Sequence, residues 1–230
     1  GSGKSSQGFW EKEYRGGQHL ALSSAPSEDL AKFVRFLERE NRTEYLNKKN
    51  SVVDLGCGNG RNLIYLAGQY GVNGTGFDIA HSAIVQAKKA SKDLPIQYET
   101  RSIAGDLPFE DESQGLVLDM MVSHFLNNED RMKLLEEVTR ILKPGGWYFF
   151  KTFLLDEDRH AKRLLTDHPS GEEGSYIHPE IRVAEHVFTE EEVVELLSPH
   201  FTIHKIQKSH GHLRSSAKRR SISVYAERAY

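Results

Sequence analysis

Residues 52–60 read Val-Val-Asp-Leu-Gly-Cys-Gly-Asn-Gly, and no other run constrains the fold as much. A β-branched pair leading into alternating glycines describes a strand that turns at once into a helix, here Arg61 to Tyr70. Gly56, Gly58 and Gly60 allow positive φ and close approach of a ligand to the main chain, as a nucleotide-binding turn requires. The dinucleotide fingerprint Gly-x-Gly-x-x-Gly fails, because Arg61 stands where its third glycine belongs.

Val72 to Phe77 predicts a second strand, ended by Asp78. One helix down the sheet and one strand back bring that acid beside the glycine turn, where a carboxylate can accept two hydrogen bonds from a ribose diol. The alternative for Asp78 is a helix N-cap. The pattern Asp54-x-Gly56-x-Gly58-x-Gly60 resembles the cofactor loop of class I methyltransferases that use S-adenosylmethionine. The turn Leu142-Lys143-Pro144-Gly145-Gly146 before an aromatic strand, Trp147 to Phe153, is a frequent companion of that loop, and the two together span most of residues 50–155.

The resemblance implies an α/β fold, Rossmann-like and doubly wound, with a seven-stranded sheet that is mostly parallel and has an antiparallel terminal strand. It implies S-adenosyl-L-methionine as cofactor, held by Asp54, Gly56, Cys57, Gly58, Asn59, Asp78 and Ile79, with Tyr14 reaching in from the N-terminal segment. Relatives carry an acid before Leu-Pro-Phe that meets the adenine, whereas Ser102-Ile103-Ala104 precedes Leu107-Pro108-Phe109 here. Ser102 and Ile103 are therefore expected against the adenine. The loop after the fourth strand, Leu116 to Met121, lies under the sulfonium in this family, which brings Asp119, Met120 and His124 toward the transferred methyl.

Around this core the periodicity places a helix capped by Ser27, with Leu30, Phe33, Val34 and Leu37 on one face. Phe9 to Ser24 is irregular and aromatic, and reads either as a lid or as a tail covering the sheet edge; the resemblance favours the lid. Ser82 to Lys92 and Glu129 to Leu142 predict helices, and Ile96 to Thr100 a strand. Thr189-Glu190-Glu191-Glu192 makes a capping box for a helix over 190–198. Phe201 to Gln207 and Ser221 to Glu227 predict a closing hairpin.

The long connection 154–187 departs from simple alternation, and such connections are usually functional. Tyr176, His178, Glu185 and His186 are its candidates at a substrate site. His124 is the first candidate general base, since imidazole can be neutral near pH 7, with His178 and His186 as alternates.

At 230 residues with 38% hydrophobic and 27% charged content, the chain reads as one domain; the resemblance implies that it is a methyltransferase domain over 1–230, with an N-terminal segment to 26, a cofactor core over 50–155 and a substrate-side insertion over 154–187. A net charge of −3 gives no general pull toward nucleic acid. The single Cys57, with no membrane-length apolar run and no signal-peptide pattern, points to a cytoplasmic protein. His210-x-His212 lacks a third ligand, so no metal is expected.

The expected reaction is methyl transfer to a small-molecule acceptor, by a monomer or homodimer. Two other readings stay open. Arg214, Lys218, Arg219 and Arg220 could meet RNA, although a charge run between strands is more often a solvated turn. A non-catalytic subunit that binds the cofactor is the other.

Overall fold

The computed structural model describes residues 2–16, 25–209 and 219–230. Its centre is a seven-stranded sheet in the order β3-β2-β1-β4-β5-β9-β8. The strands are β1 (Ser51–Leu55), β2 (Asn73–Asp78), β3 (Ile96–Thr100), β4 (Gln114–Met120), β5 (Leu142–Phe153), β8 (Phe201–Lys208) and β9 (Ser221–Arg228). β1 to β5 run parallel to one another, and β9 is antiparallel to both β5 and β8.

The central strands are apolar almost without a break because both faces are covered. Period-two alternation divides the side chains between two cores. Val52, Leu116, Leu118, Trp147 and Phe149 pack toward α2 (Glu28–Arg39), α3 (Arg61–Tyr70) and α4 (His81–Ala90), meeting Phe33, Leu37, Leu66 and Ile84. Val53, Val117, Tyr148 and Phe150 point the other way, to Leu134, Val138 and Ile141 of α5 (Asn128–Ile141) and Val193 and Leu197 of α7 (Glu190–Leu197). Strand order reverses between β1 and β4, which opens a crevice beyond their carboxyl ends.

The structure changes several expectations. Phe9 to Gly16 is not irregular: it belongs to helix α1 (Ser2–Gly16), while residues 17–24 lie outside the described residues. α1 is fixed from outside its own sequence, since the Glu11 carboxylate accepts from the Ser82 hydroxyl at 2.9 Å and from the His81 amide at the start of α4. An anion at a helix N-terminus is favourable there. The turn at Lys143-Pro144-Gly145-Gly146 is absorbed into β5, whose pairing with β4 is irregular between Gln114 and Leu116.

Only half of the predicted capping box forms. Thr189 Oγ1 accepts from the Glu192 amide at 3.0 Å, but the Glu192 side chain turns to His186 instead of back to residue 189. The connection 154–187 holds helix α6 (Arg159–Asp167) and a two-stranded hairpin, β6 (Ser175–Ile177) with β7 (Ala184–His186).

A candidate cofactor cavity at the strand switch

The turn between β1 and α3 has the left-handed geometry its glycines foretold, with φ of 74° at Gly56, 56° at Gly58 and 81° at Gly60. A Cβ on Gly56 would stand 2.3 Å from the Val122 side chain, and one on Gly58 would stand 2.7 Å from the Tyr14 hydroxyl. Asp78 holds the turn in place: its Oδ2 accepts from the Gly58 amide and its Oδ1 from the Ala80 amide, both at 2.9 Å. The acid thus braces the glycine loop and serves the start of α4 at once. A carboxylate has about four acceptor positions, so two remain for a diol.

Above this floor lies a cavity of about 780 Å³, within the usual range for small-molecule sites. Tyr14, Asp54, Gly56, Cys57, Gly58, Asn59, Asp78, Ile79, Ser102, Ile103 and Met120 all line it. Helix α1 contributes Trp10 as well as Tyr14, the loop after β4 contributes Val122 and Phe125, and the β6–β7 hairpin contributes Ile177, Arg182, Val183 and Ala184. Burial pushes the carboxyl of Asp54 up to about 8, reinforced by Asp78 and Asp119 nearby. Burial also raises Asp78, against the backbone amides of Ala80, Gly58 and Ile79, and raises the Cys57 thiol and the Tyr14 phenol. A floor whose carboxylates are held back from ionising by burial and mutual repulsion favours a cationic guest, which relieves both.

Six expected site residues, Asp119, His124, Tyr176, His178, Glu185 and His186, are not brought to this cavity. Asp119 is fully buried on the opposite face, where it accepts from the Tyr148 hydroxyl and from the Ser123 amide at 3.2 Å. Alternation explains the correction: Leu118 and Met120 share the cavity-side core, so Asp119 between them must point with Val117. Burial raises its carboxyl to about 6.

His124 is 1% exposed, with its ring 4.1 Å from that of Phe125 and 4.8 Å from that of Phe153. Neither nitrogen has a partner among the described residues. Burial, with Arg219 nearby, pushes it down to about 3, so it is neutral, and it does not line the cavity. His178 accepts from the Glu180 amide at 3.2 Å in the hairpin turn, and buried His186 lies between the Ser175 hydroxyl at 2.8 Å and Glu192 at 2.7 Å. Both histidines shape the insertion.

Tyr176 and Glu185 bond each other at 2.6 Å, and Arg219 joins them instead of facing an anion in solvent. Arg220 bonds the carbonyls of Ser209 and Asp156. Arg214, Lys218, His210 and His212 lie outside the described residues. Among the described residues, no three of His, Cys, Asp or Glu group to hold a metal, and no helix is long and apolar enough to cross a membrane.

Sequence reading missed Asn62 and Lys151. Asn62 Oδ1 accepts from the Ser27 amide at 2.8 Å, tying α2 to the first turn of α3 at the cavity wall. Lys151, near the end of β5, lines the cavity and pairs with Asp29. The rule that ligands bind beyond the carboxyl ends of parallel strands pointed to Lys151. Nothing local to the sequence pointed to the partner of Asn62.

Residues 52–146 match a methyltransferase-domain family. Over 136 residues the chain is 29% identical to a glycine/sarcosine/dimethylglycine N-methyltransferase of Actinopolyspora halophila, covering 57% of this chain and 24% of that protein. Over 98 residues it is 36% identical to a phthiotriol/phenolphthiotriol dimycocerosates methyltransferase of Mycobacterium tuberculosis, covering 42% of this chain and 35% of that protein. The chain thus spans about a quarter to a third of the length of these two curated relatives. Among solved structures, a SAM-dependent methyltransferase from Methanosarcina mazei superposes with a TM-score of 0.68 at 27% identity, over 80% of this chain and 95% of that one. The 1,6-didemethyltoxoflavin-N1-methyltransferase of Burkholderia thailandensis shares the fold, with a TM-score of 0.72 at 17% identity over 99% of this chain and 88% of that one.

Proposed function

We propose that this chain, whose residues 52–146 match a methyltransferase-domain family, is a class I S-adenosylmethionine-dependent methyltransferase that transfers the sulfonium methyl of S-adenosyl-L-methionine to a small-molecule acceptor. The observation that carries the reading is the brace from Asp78 to the Gly58 amide at the floor of a cavity placed at the strand switch. The turn offers close main-chain approach, Asp78 keeps free acceptor positions for a ribose, and Asp54 lies where positive charge is welcome. Ile79, Ser102 and Ile103 form an apolar and weakly polar recess for a base.

When bound, the cofactor supplies a methyl already made electrophilic by the charged sulphur. What the protein adds is placement of an acceptor in line with it and exclusion of water. Trp10, Phe125 and Val183 give the acceptor end apolar walls, with the exposed Ile177 beside them and Lys151 and Arg182 as its cations. The three histidines lie off the cavity wall, so in this reading rate comes from positioning, and a histidine base is not part of it. Enclosure supports a small acceptor over RNA, as does the inward use of Arg219 and Arg220. Named relatives act on both kinds: the N-methyltransferase is named for glycine, sarcosine and dimethylglycine, and a 26% identical Arabidopsis thaliana protein for a tRNA uridine.

The test incubates the protein with methyl-labelled S-adenosylmethionine and, separately, a metabolite extract and total RNA. Label is expected in the small-molecule fraction, with S-adenosylhomocysteine formed in step. Label in RNA alone would overturn the acceptor class. Tight cofactor binding with no S-adenosylhomocysteine from either source would overturn catalysis and leave a binding subunit.

A further inference from the structure

The β6–β7 hairpin walls the acceptor end of the cavity, yet its two strands are only three residues each, too short to hold a register alone. Two cross-strand pairs lie side by side in it: Tyr176 opposite Glu185, and Ile177 opposite Ala184. Successive strand residues point to opposite faces, so the face toward which the first pair turns decides where the second is presented. Ile177 and Ala184 line the cavity. Tyr176 and Glu185 are buried behind it.

What they turn toward is Arg219, just ahead of β9. Its Nη1 donates to the Tyr176 hydroxyl at 2.6 Å, and that hydroxyl donates to Glu185 Oε2 at 2.6 Å. The same Nη1 lies 3.7 Å from Glu185 Oε2, and Nε lies 3.7 Å from Asp158 Oδ2. The guanidinium covers the Phe153 ring at 4.1 Å. Asp158 caps α6 through the Ala161 amide at 2.9 Å, so one cation joins both halves of the insertion to the end of the sheet. Two further side-chain tethers, Arg131 to Glu172 at 2.6 Å and His186 to Glu192 at 2.7 Å, hold the hairpin elsewhere, and the Ile177 amide donates to the His168 carbonyl at 2.9 Å. Neither side-chain tether touches the Tyr176–Glu185 pair.

We propose that Arg219 is a positioning residue for methyl transfer: by holding Tyr176 and Glu185 on the buried face of the hairpin, it presents Ile177 and Ala184 to the acceptor. The proposal rests on the reading of the cavity as a cofactor and acceptor site. A partly buried cation replaced by a neutral group leaves Glu185 and Asp158 without their counter-charge, so the hairpin loosens where the acceptor is to be gripped. The cofactor floor, built by Asp54, the glycine turn and Asp78, is made without Arg219.

The experiment compares Arg219→Gln, Arg219→Lys and Tyr176→Phe with the unaltered full chain by three readouts: hydrogen exchange by segment, calorimetric affinity for S-adenosylhomocysteine, and S-adenosylhomocysteine formed from a metabolite extract. Arg219→Gln is expected to speed exchange in residues 175–186 by about tenfold or more while β1 and β4 keep their protection. Affinity should stay within about twofold and product formation should fall by roughly tenfold to a hundredfold, as for a wall displaced by ~1 Å. Arg219→Lys should recover part of the protection and of the turnover, and Tyr176→Phe should act in the same direction more weakly. Should Arg219→Gln not fold, Tyr176→Phe decides alone.

Unchanged exchange in the hairpin, or protection lost equally from β1 and β4, would overturn the proposal. Failure of the unaltered chain to bind S-adenosylhomocysteine would instead remove the cofactor reading, and the exchange data would still judge the clamp.

Discussion

The glycine turn and the β6–β7 hairpin face each other across one cavity, and they are built on opposite principles. The turn is specified by backbone conformation: three residues with φ between 56° and 81° leave little choice but glycine. The hairpin is specified by side chains that meet only after folding, Arg219 with Tyr176 and Arg131 with Glu172. The turn, then, tolerates almost no substitution at three positions, whereas the hairpin tolerates change wherever a pair is altered together.

Gly58→Val should break the comparison most sharply. Its Cβ would meet the Tyr14 hydroxyl at 2.7 Å in a backbone conformation that branched residues avoid, so affinity for S-adenosylhomocysteine should drop by about a hundredfold or more, read by calorimetry. An affinity within about threefold of the unaltered chain would mean that the turn does not hold the cofactor.

Asp54→Asn should separate stability from function. The carboxyl sits at about 8 in the fold against an ordinary 3.8, so between roughly pH 4 and 8 the native state keeps a proton the unfolded state has lost. This group's contribution is full below pH 4 and declines as pH rises toward 8. Asp54→Asn removes that decline: urea unfolding should show the variant more stable than the unaltered chain at pH 8 by upward of about 1 kcal/mol, with the gap closing near pH 4. It should also bind the cationic S-adenosylmethionine more weakly. Equal stability at both pH values would show that burial does not strain this acid.

Thr189→Ala tests a cap on the hairpin side of the molecule. Loss of the hydroxyl that accepts from the Glu192 amide should cost about 1 kcal/mol in urea unfolding, and the neighbouring bond from Glu192 to His186 should make the loss larger in the presence of His186→Ala. Strict additivity of the two changes would deny the coupling.

His124→Phe should have the smallest effect at neutral pH, within about 1 kcal/mol, because it replaces a buried, unpaired ring with an apolar one. Methyl transfer should persist. His124 sits at about 3 in the fold against an ordinary 6.5, so its contribution to stability is present above pH 6.5 and is lost as pH falls toward 3. The variant should be less acid-sensitive across that window. Abolished turnover in a well-folded His124→Phe would restore the imidazole as a base.

These contrasts track what could be read in advance. The sheet, its order of elements and the floor of the cavity were legible because Val52 to Gly60, Asp78 and the Leu142-to-Gly146 turn are local signals tied to backbone geometry. The fate of Asp119 was legible too, had the alternation of β4 been carried one residue further: Met120 and Asp119 cannot face the same side. α1 escaped because its aromatics show no clear period, and Glu11 finds its partner at Ser82 across the fold. The histidines misled for a related reason. Their chemistry is visible in the letters, but the rings of Phe125 and Phe153 that bury His124 are brought there by packing.

Titration of the unaltered chain with S-adenosylmethionine, repeated with Asp78→Ala, decides the account. Saturable binding with heat at one site per chain, weakened at least about tenfold when Asp78 no longer braces Gly58, is the predicted result. Binding of equal strength in both proteins, or no binding to either while both remain folded, would contradict it.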